Sequence, residues 1–286
     1  MIGETGLVCA VILSAGEGRR LRPLTEHLPK ALCPVGNIPL VDRALARVAA
    51  LGFAGPDSVA VNACYLKERL IAHVGDRAHL SVEPGDPLGT AGGLAKLRDW
   101  IDGRGVLVGN ADAYLADPQA EPGADIAALL AGWDGQRVRL LGVPGAGPKA
   151  PGSFSGHWFA GFSLLPWRYV RQLRPEPSDL VRSVWRPAEA AGELDVVTFR
   201  GTYLDTGTLP DYLAANLHAA GDGNLVHPTA TVTGTCRRAV VGAGALVRGT
   251  VARTVVWPGG VVDADEHLVD AVRVGRDLTV PVGRRG

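Results

Sequence analysis

The chain has 286 residues, of which 29 are lysine or arginine and 29 aspartate or glutamate, so it carries no formal net charge at neutral pH. Hydrophobic residues make up 47% and charged residues 20%, proportions that support a buried core and exclude a disordered or fibrous chain. The charge balance argues against a protein that coats nucleic acid or an anionic membrane, though it leaves room for a local cationic pocket. Cys9, Cys33, Cys64 and Cys236 form no Cys-x-x-Cys pair, so no zinc knuckle or redox motif is signalled and reduced thiols in the cytoplasm are expected. The histidines show no metal-ligand spacing. No apolar run approaches the ~20 residues of a membrane span, and the run 7–13 has no basic stretch before it, so no signal peptide is expected.

In chain order, residues 7–13 form a continuous apolar run that predicts a buried parallel strand, and Ser14-Ala15-Gly16-Glu17-Gly18 follows as a tight loop. Residues 39–51 place Leu40, Val41, Ala44, Leu45, Val48 and Leu51 on one helical face, with Gly52 as the stop. A strand is expected over 58–62, a helix over 65–74 ending at Gly75, a strand over 79–83, a helix over 91–100 and a strand over 105–109. Further strands are expected over 137–143, 158–164 and 193–200, and a helix over 209–220 before a Gly221-Asp222-Gly223 hinge. This alternation predicts a Rossmann-like α/β fold: an open, mostly parallel sheet with helices on both faces. Ligands of such sheets bind beyond the carboxyl ends of the strands, where Gly16, Gly18 and Asp112 fall.

After Asn224 the pattern changes. Val256, Val262, Leu268, Val274 and Val280 recur at every sixth position, and Val226/Val232 and Val241/Val247 repeat the spacing. A six-residue repeat with small residues between predicts a parallel β-helix, with an irregular β-rich tail as the alternative. The expected division is a catalytic domain over 1–222 and a hexapeptide-repeat tail over 223–286. The tail offers a surface for a homo-oligomer. The tryptophans 133, 158, 167, 185 and 257 are expected to pack rather than to stack on a sugar.

The densest chemical signal is LSAGEGRRLRPLTEHLPKALCPV, residues 13–35. Glycines after a strand let backbone amides approach phosphates, and Arg20 and Lys30 bring cations to the same edge. Leu21 stands where a dinucleotide fingerprint needs a third glycine, and no Gly-Lys-Ser/Thr is present, so neither that fold signature nor a Walker A loop applies.

The stretch resembles the signature of the sugar-1-phosphate nucleotidyltransferases, (G/A)-G-x-G-x-R-L-x-P-L-T followed by P-K-x-L-x-P-V. Gly16, Gly18, Arg20, Leu21, Pro23, Leu24, Thr25, Pro29, Lys30, Leu32, Pro34 and Val35 supply its fixed elements. Pro87-Leu88-Gly89-Thr90-Ala91-Gly92 is similar to the family's PLGTAG segment, which lies against the base. Residues 106–112 resemble its strand ending in a metal-holding aspartate, and Tyr203-Leu204-Asp205-Thr206-Gly207-Thr208 resembles its WxDxGT motif with a second one. The tail, including Thr254–Gly259, resembles the short left-handed β-helix of mannose-1-phosphate guanylyltransferase-like members.

The resemblance implies that an NTP and a sugar 1-phosphate yield an NDP-sugar and pyrophosphate. Asp112 and Asp205 would hold Mg²⁺, Arg20 would grip the leaving β- and γ-phosphates, and Lys30 would neutralise the α-phosphate and the incoming sugar phosphate. Leu13, Ala15, Gly16, Gly18, Gly89 and Thr90 would line the nucleotide, and Gly161 and Lys149 the sugar. The phosphate nucleophile is already ionised, so no general base is needed. GTP with mannose 1-phosphate is favoured; uridylyl or other transfer to a different sugar-like phosphate is the alternative. The chain departs from the family where many members carry Glu-Lys-Pro with a sugar-binding glutamate: here residues 147–151 read GPKAP, and no glutamate occurs between Glu121 and Glu176. That gap keeps open a non-catalytic nucleotide-sugar-binding subunit. An acyltransferase working through the tail would need a histidine at a coil junction, for which only His227 and His267 are available.

Overall fold

The computed structural model describes residues 8–145 and 152–283. It divides into two compact units: one contains the chain up to Glu17 and Val41–Tyr203, the other Gly18–Leu40 and everything from Leu204 on. No helix among the described residues is long and apolar enough to cross a membrane.

The first unit is built on a seven-stranded sheet. Its strand order is Leu194–Thr198, Val138–Pro144, His157–Leu165, Gly105–Asn110, Val8–Leu13, Val59–Ala63 and His79–Val82. The sheet is mainly parallel, as the sequence predicts: Val8–Leu13 pairs in parallel with both Val59–Ala63 and Gly105–Asn110. Every residue of Val8–Leu13 is buried, which is why this strand reads as an unbroken apolar run. Cys9, Val11 and Leu13 share one cluster with Ala91, Leu94, Ala95, Leu97 and Ile101 from the helical segments after residue 88. Each such large aliphatic side chain contributes about 1.5–3 kcal/mol by leaving water.

Two helix bounds change, and one strand direction that the sequence left open is set by pairing. The strand predicted over 158–164 runs antiparallel to both of its neighbours, Gly105–Asn110 and Val138–Pro144, with a register shift between Leu140 and Gly142. Apolarity reports burial of a strand but not its direction. The helix expected over 91–100 is two helices, Gly89–Lys96 and Arg98–Ile101, parted at Leu97. The helix expected from 65 begins at Lys67, because Leu66 takes a left-handed conformation (φ 46°).

In the second unit the helix Leu209–Ala220 begins where expected. Thr208 caps it by accepting from the Asp211 N–H, Pro210 fits the first turn, and Gly221 (φ 62°) ends it. Gly221 thus acts as a helix stop. Upstream, Pro34–Val35 and Ile38–Pro39 form a small antiparallel hairpin. Its turn residues Gly36 and Asn37 both have positive φ, 58° and 65°, the signature of a primed hairpin turn.

This hairpin is pinned by the helix and by the tail. Asn216 Oδ1 accepts from Gly36 N at 3.0 Å, and Tyr212 Oη donates to Pro34 O at 2.5 Å. Trp257 Nε1 donates to Tyr212 Oη at 2.9 Å, and Asn37 Nδ2 donates to Val241 O at 3.0 Å. Burial holds the Tyr212 phenol well above its ordinary pKa, so it stays a donor.

Tail strands pair in parallel: Val226 faces Val241, which faces Val256, and Val232 faces Val247, which faces Val262. Val241, Val247, Val251, Val256 and Val262 form one buried cluster with Ala239 and Ala245. The six-residue spacing does not extend in the same way to the end. Val274 and Val280 lie in an antiparallel hairpin, His267–Val274 with Leu278–Pro281, in which Val280 faces Val272.

Replacing Tyr212 with Phe removes the hydroxyl between Trp257 Nε1 and Pro34 O and leaves the buried indole N–H without its acceptor. A loss of about 1–3 kcal/mol in urea unfolding is expected, with the solvent-facing Glu26→Gln within about 0.5 kcal/mol of wild type.

Candidate active site

The carboxyl edge of the first unit's sheet gathers Leu13, Ala15, Gly16, Asp112 and Gly161. Leu13 ends its strand opposite Asn110, and its carbonyl accepts from Ala111 N at 3.0 Å. This register puts Asp112, half-buried in the turn before Ala113, at the same sheet edge as Ser14-Ala15-Gly16. Leu13 and Ala15 are buried; a Cβ at Gly16 would meet nothing within 4 Å. Because its strand runs the other way, Gly161 reaches this edge too. It has φ +81°, and its Cα lies so close to the Ala113 side chain that a Cβ would collide with it.

Gly89 and Thr90 take a packing role within the unit. Gly89 has φ +73° and backs onto the Ser178 carbonyl, Gly92 backs onto that of Glu176, and Thr90 Oγ1 accepts from Leu180 N at 2.9 Å. The two adjacent glycines in GTAGG serve two different close approaches, since a Cβ at Gly93 would lie 2.7 Å from Asn62 Nδ2 and 2.9 Å from Glu83 Oε1. Asn62 and Glu83 were not read as functional from the sequence. They form a buried chain: Asn62 Oδ1 accepts from Ser14 N at 2.6 Å, Asn62 Nδ2 donates to Glu83 Oε1 at 2.8 Å, and Glu83 Oε2 accepts from Leu88 N at 2.7 Å. Ser14 Oγ also donates to the Asn62 carbonyl. The available signal was a polar residue directly after an apolar one at the end of each of two expected strands, Val61-Asn62 and Val82-Glu83.

In the second unit, Gly18 (φ +63°) turns the chain so that its carbonyl accepts from Thr25 Oγ1 at 3.0 Å. A Cβ there would lie 2.8 Å from Thr25 Cγ2 and 3.1 Å from Lys30 Cβ, so glycine sets how closely the two halves of the 13–35 motif fold together. Lys30 is brought against Asp205: Nζ lies 3.7 Å from Oδ1 with the lysine side chain only 11% exposed. Arg20 Nη2 lies 3.8 Å from Asp205 Oδ2 on a side chain that is 69% exposed. Gly207 leaves room for both, since a Cβ there would sit 2.6 Å from Arg20 Nη2 and 3.0 Å from Asp205 Oδ1. A nearly buried ammonium and an exposed guanidinium thus flank one half-exposed carboxylate. Opposite charges at this range in partly desolvated surroundings attract substantially more than in bulk water.

Among the described residues no three His, Cys, Asp or Glu side chains cluster as a metal site. Mg²⁺ needs no such cluster, because it is held by one or two carboxylates and keeps several waters. Asp205 fits that demand: it is a hard oxygen donor, 50% exposed, with both cations beyond hydrogen-bond distance of its oxygens. Lys149, expected at the sugar, lies outside the described residues. Trp257 packs as expected, but Trp158 is 42% exposed.

Residues 9–126 match the family described as Nucleotidyl transferase. Over 131 residues the chain is 34% identical to mannose-1-phosphate guanylyltransferase of Mycobacterium tuberculosis, a match covering 44% of this chain and 34% of that protein. Over 109 residues it is 36% identical to N-acetylmuramate alpha-1-phosphate uridylyltransferase of Neisseria meningitidis, covering 36% of this chain and 46% of that protein. These matches thus span less than half the length of either relative. A longer match, 29% identity over 269 residues, covers 79% of this chain and 73% of the Oryza sativa protein named "Probable mannose-1-phosphate guanylyltransferase 1". Among solved structures, a Bacillus anthracis chain bearing the name glucose-1-phosphate thymidylyltransferase superposes with a TM-score of 0.58 at 17% identity, over 74% of this chain and 95% of that one. At that identity the likeness is one of fold.

Two glycine substitutions separate architecture from function here. Gly207→Ala pushes the flexible end of Arg20 and crowds the half-exposed Asp205 carboxylate, both side-chain ends that can shift, so its melting temperature is expected within about 2 °C of wild type, while the Kd for an NTP rises. Gly18→Ala forces a left-handed residue against Thr25 and is expected to cost about 1–2 kcal/mol of stability as well. Calorimetric melting and nucleotide titration on both variants check the contrast.

Proposed function

We propose that this chain, whose residues 9–126 match the Nucleotidyl transferase family, transfers a nucleotidyl group from an NTP to a sugar 1-phosphate, giving an NDP-sugar and pyrophosphate. The observation that carries the reading is the pairing of nearly buried Lys30 and exposed Arg20 around Asp205, inside a motif otherwise committed to close backbone approach. In the reaction a sugar-phosphate oxygen attacks the α-phosphorus, the bond to the β-phosphate oxygen breaks, and pyrophosphate leaves with that electron pair. Repulsion between the two anions is the main obstacle, so positioned cations supply most of the catalysis.

Arg20 is assigned to the β- and γ-phosphates. Lys30 is assigned to the α-phosphate and the attacking phosphate. Its stem is fixed by packing, so little side-chain freedom is lost on binding. Leu13, Ala15, Gly16, Gly18, Gly89 and Thr90 are assigned to the nucleotide, the latter two through backbone whose shape the 176–180 segment fixes. Gly161 and Lys149 are assigned to the sugar. Asp112 and Asp205 are assigned to Mg²⁺, which when bound neutralises phosphate charge.

GTP with mannose 1-phosphate is the favoured pair, supported by the guanylyltransferase relatives. A uridylyltransferase acting on a different sugar phosphate is the second reading. It is supported by the uridylyltransferase relative and by the absence of glutamate between Glu121 and Glu176. Residues 1–222 are proposed as the catalytic part and 223–286 as a short left-handed β-helix, supported by the parallel stacking of Val226, Val241 and Val256. The edge valines Val226 and Val232, 40% and 37% exposed, support a homo-oligomer through the tail. A cytoplasmic setting suits the substrates.

Pyrophosphate release with Mg²⁺, across four NTPs and a panel of sugar 1-phosphates, tests the reaction. One pair should give turnover, and Asp112→Asn and Asp205→Asn should each lower kcat about 10²–10³-fold. Nucleotide binding without turnover for any pair would favour the non-catalytic alternative.

A further inference from the structure

Ser14, Asn62, Glu83 and Leu88 come from four separate stretches of the first unit, yet they form one continuous hydrogen-bonded chain. It begins on the backbone of the segment 13–16, crosses two buried side chains and ends on the backbone N–H of Leu88, directly before Gly89. Asn62 is 2% exposed and Glu83 1%. A carboxyl group this deep needs its acceptors filled, and here they are: Oε1 by the Asn62 amide and Oε2 by Leu88 N–H. Gly93 permits the arrangement, because any side chain there would enter the space of both polar groups. Two aliphatic residues would fill the same volume but leave the Ser14 and Leu88 N–H groups without these acceptors, so the pair serves the two backbone segments it joins rather than its own packing.

We propose that Glu83 is a positioning residue for the nucleotide, fixing the Leu88-Gly89 backbone relative to the Leu13–Gly16 loop through Asn62. The proposal rests on the reading of those two segments as nucleotide-contacting. Glu83 itself is enclosed and acts only through what it holds. Each link has a direction. Glu83 offers two acceptors to two donors, and Asn62 offers one acceptor to Ser14 and one donor to Glu83. Glu83→Gln keeps the shape but faces one donor with another. Asn62→Asp keeps the shape but faces one acceptor with another. The double variant Asn62→Asp/Glu83→Gln restores every pairing, since the new amide can donate across the pair while its oxygen accepts from Leu88.

The test is calorimetric titration of the full chain with GTP·Mg and UTP·Mg, at a temperature where each variant is folded, together with thermal melting. Each single variant is expected to weaken the Kd of the tighter nucleotide about tenfold or more, and the double variant to return to within about threefold of wild type. Single variants that melt lower but bind with an unchanged Kd would make the pair a stability feature only and overturn the proposal. So would a double variant that binds no better than the singles, or that does not fold. If the singles do not fold, the double variant decides alone: near-wild-type Kd supports the proposal and a tenfold loss overturns it. Wild-type protein that binds neither nucleotide would sink this proposal and the nucleotide reading together. Binding without turnover would sink only the reaction.

Discussion

The first unit depends on how a strand buried on both faces is brought to an end. Val8–Leu13 is apolar throughout, and its backbone is satisfied by parallel neighbours on either side. At Leu13 that arrangement stops, and the next backbone groups still need partners. Ala111 N–H takes the Leu13 carbonyl, and the Asn62 side chain takes the Ser14 N–H. Asp112 follows Ala111 directly, and Asn62 leads to Glu83 and Leu88. The same demand that closes the sheet therefore also sets the positions of Asp112, the glycine-rich loop and the Leu88-Gly89 backbone.

A comparable logic governs the second unit, with the hairpin Pro34–Pro39 in place of the strand end. A two-strand hairpin this short has little stability of its own. It is held because Tyr212 and Asn216, one helical turn apart, both reach its backbone, and because Asn37 reaches the Val241 carbonyl in the tail. Trp257, from the tail, completes the set through Tyr212. Lys30 lies just upstream in the same segment. The tail is thus part of the scaffold that holds the Lys30 segment, a role independent of any contact with a second chain.

Much of this was legible in the sequence, for identifiable reasons. Runs that must be buried on two faces announce themselves, so the central parallel strands were found, as was the helix 209–220, though not its Thr208 cap. The motif 13–35 was read through its resemblance to a family signature with many fixed elements, since an isolated Gly-x-Gly would carry little. What was not legible depends on partners distant in sequence. Strand direction at 157–165 is fixed by pairing, to which apolarity is blind. The break at Leu97 is flanked directly by helix-favouring residues, Leu94-Ala95-Lys96 before it and Arg98 after it. Asn62 and Glu83 look like ordinary strand ends until the fold brings them to 2.8 Å. The final six-residue intervals of the tail, at Val274 and Val280, matched in spacing but not in direction, because a hairpin and a coil can bury the same valines.

The ion group on the second unit connects these points to the chemistry. A chain with no net charge can attract a polyanion only through local arrangement, and the proposed role of Lys30 rests on one: its amino group, 11% exposed, lies 3.7 Å from one carboxylate oxygen in a region of reduced screening. Asp205 offsets that charge while no phosphate is bound, at 3.7 Å and without a hydrogen bond that binding would have to break. Arg20, 69% exposed, is likewise at ion-pair distance only, which suits the role proposed for it at a phosphate. One cation is enclosed by packing and the other is exposed, with a carboxylate left half-open between them. That division suits a reaction in which one phosphate must be held still while another departs.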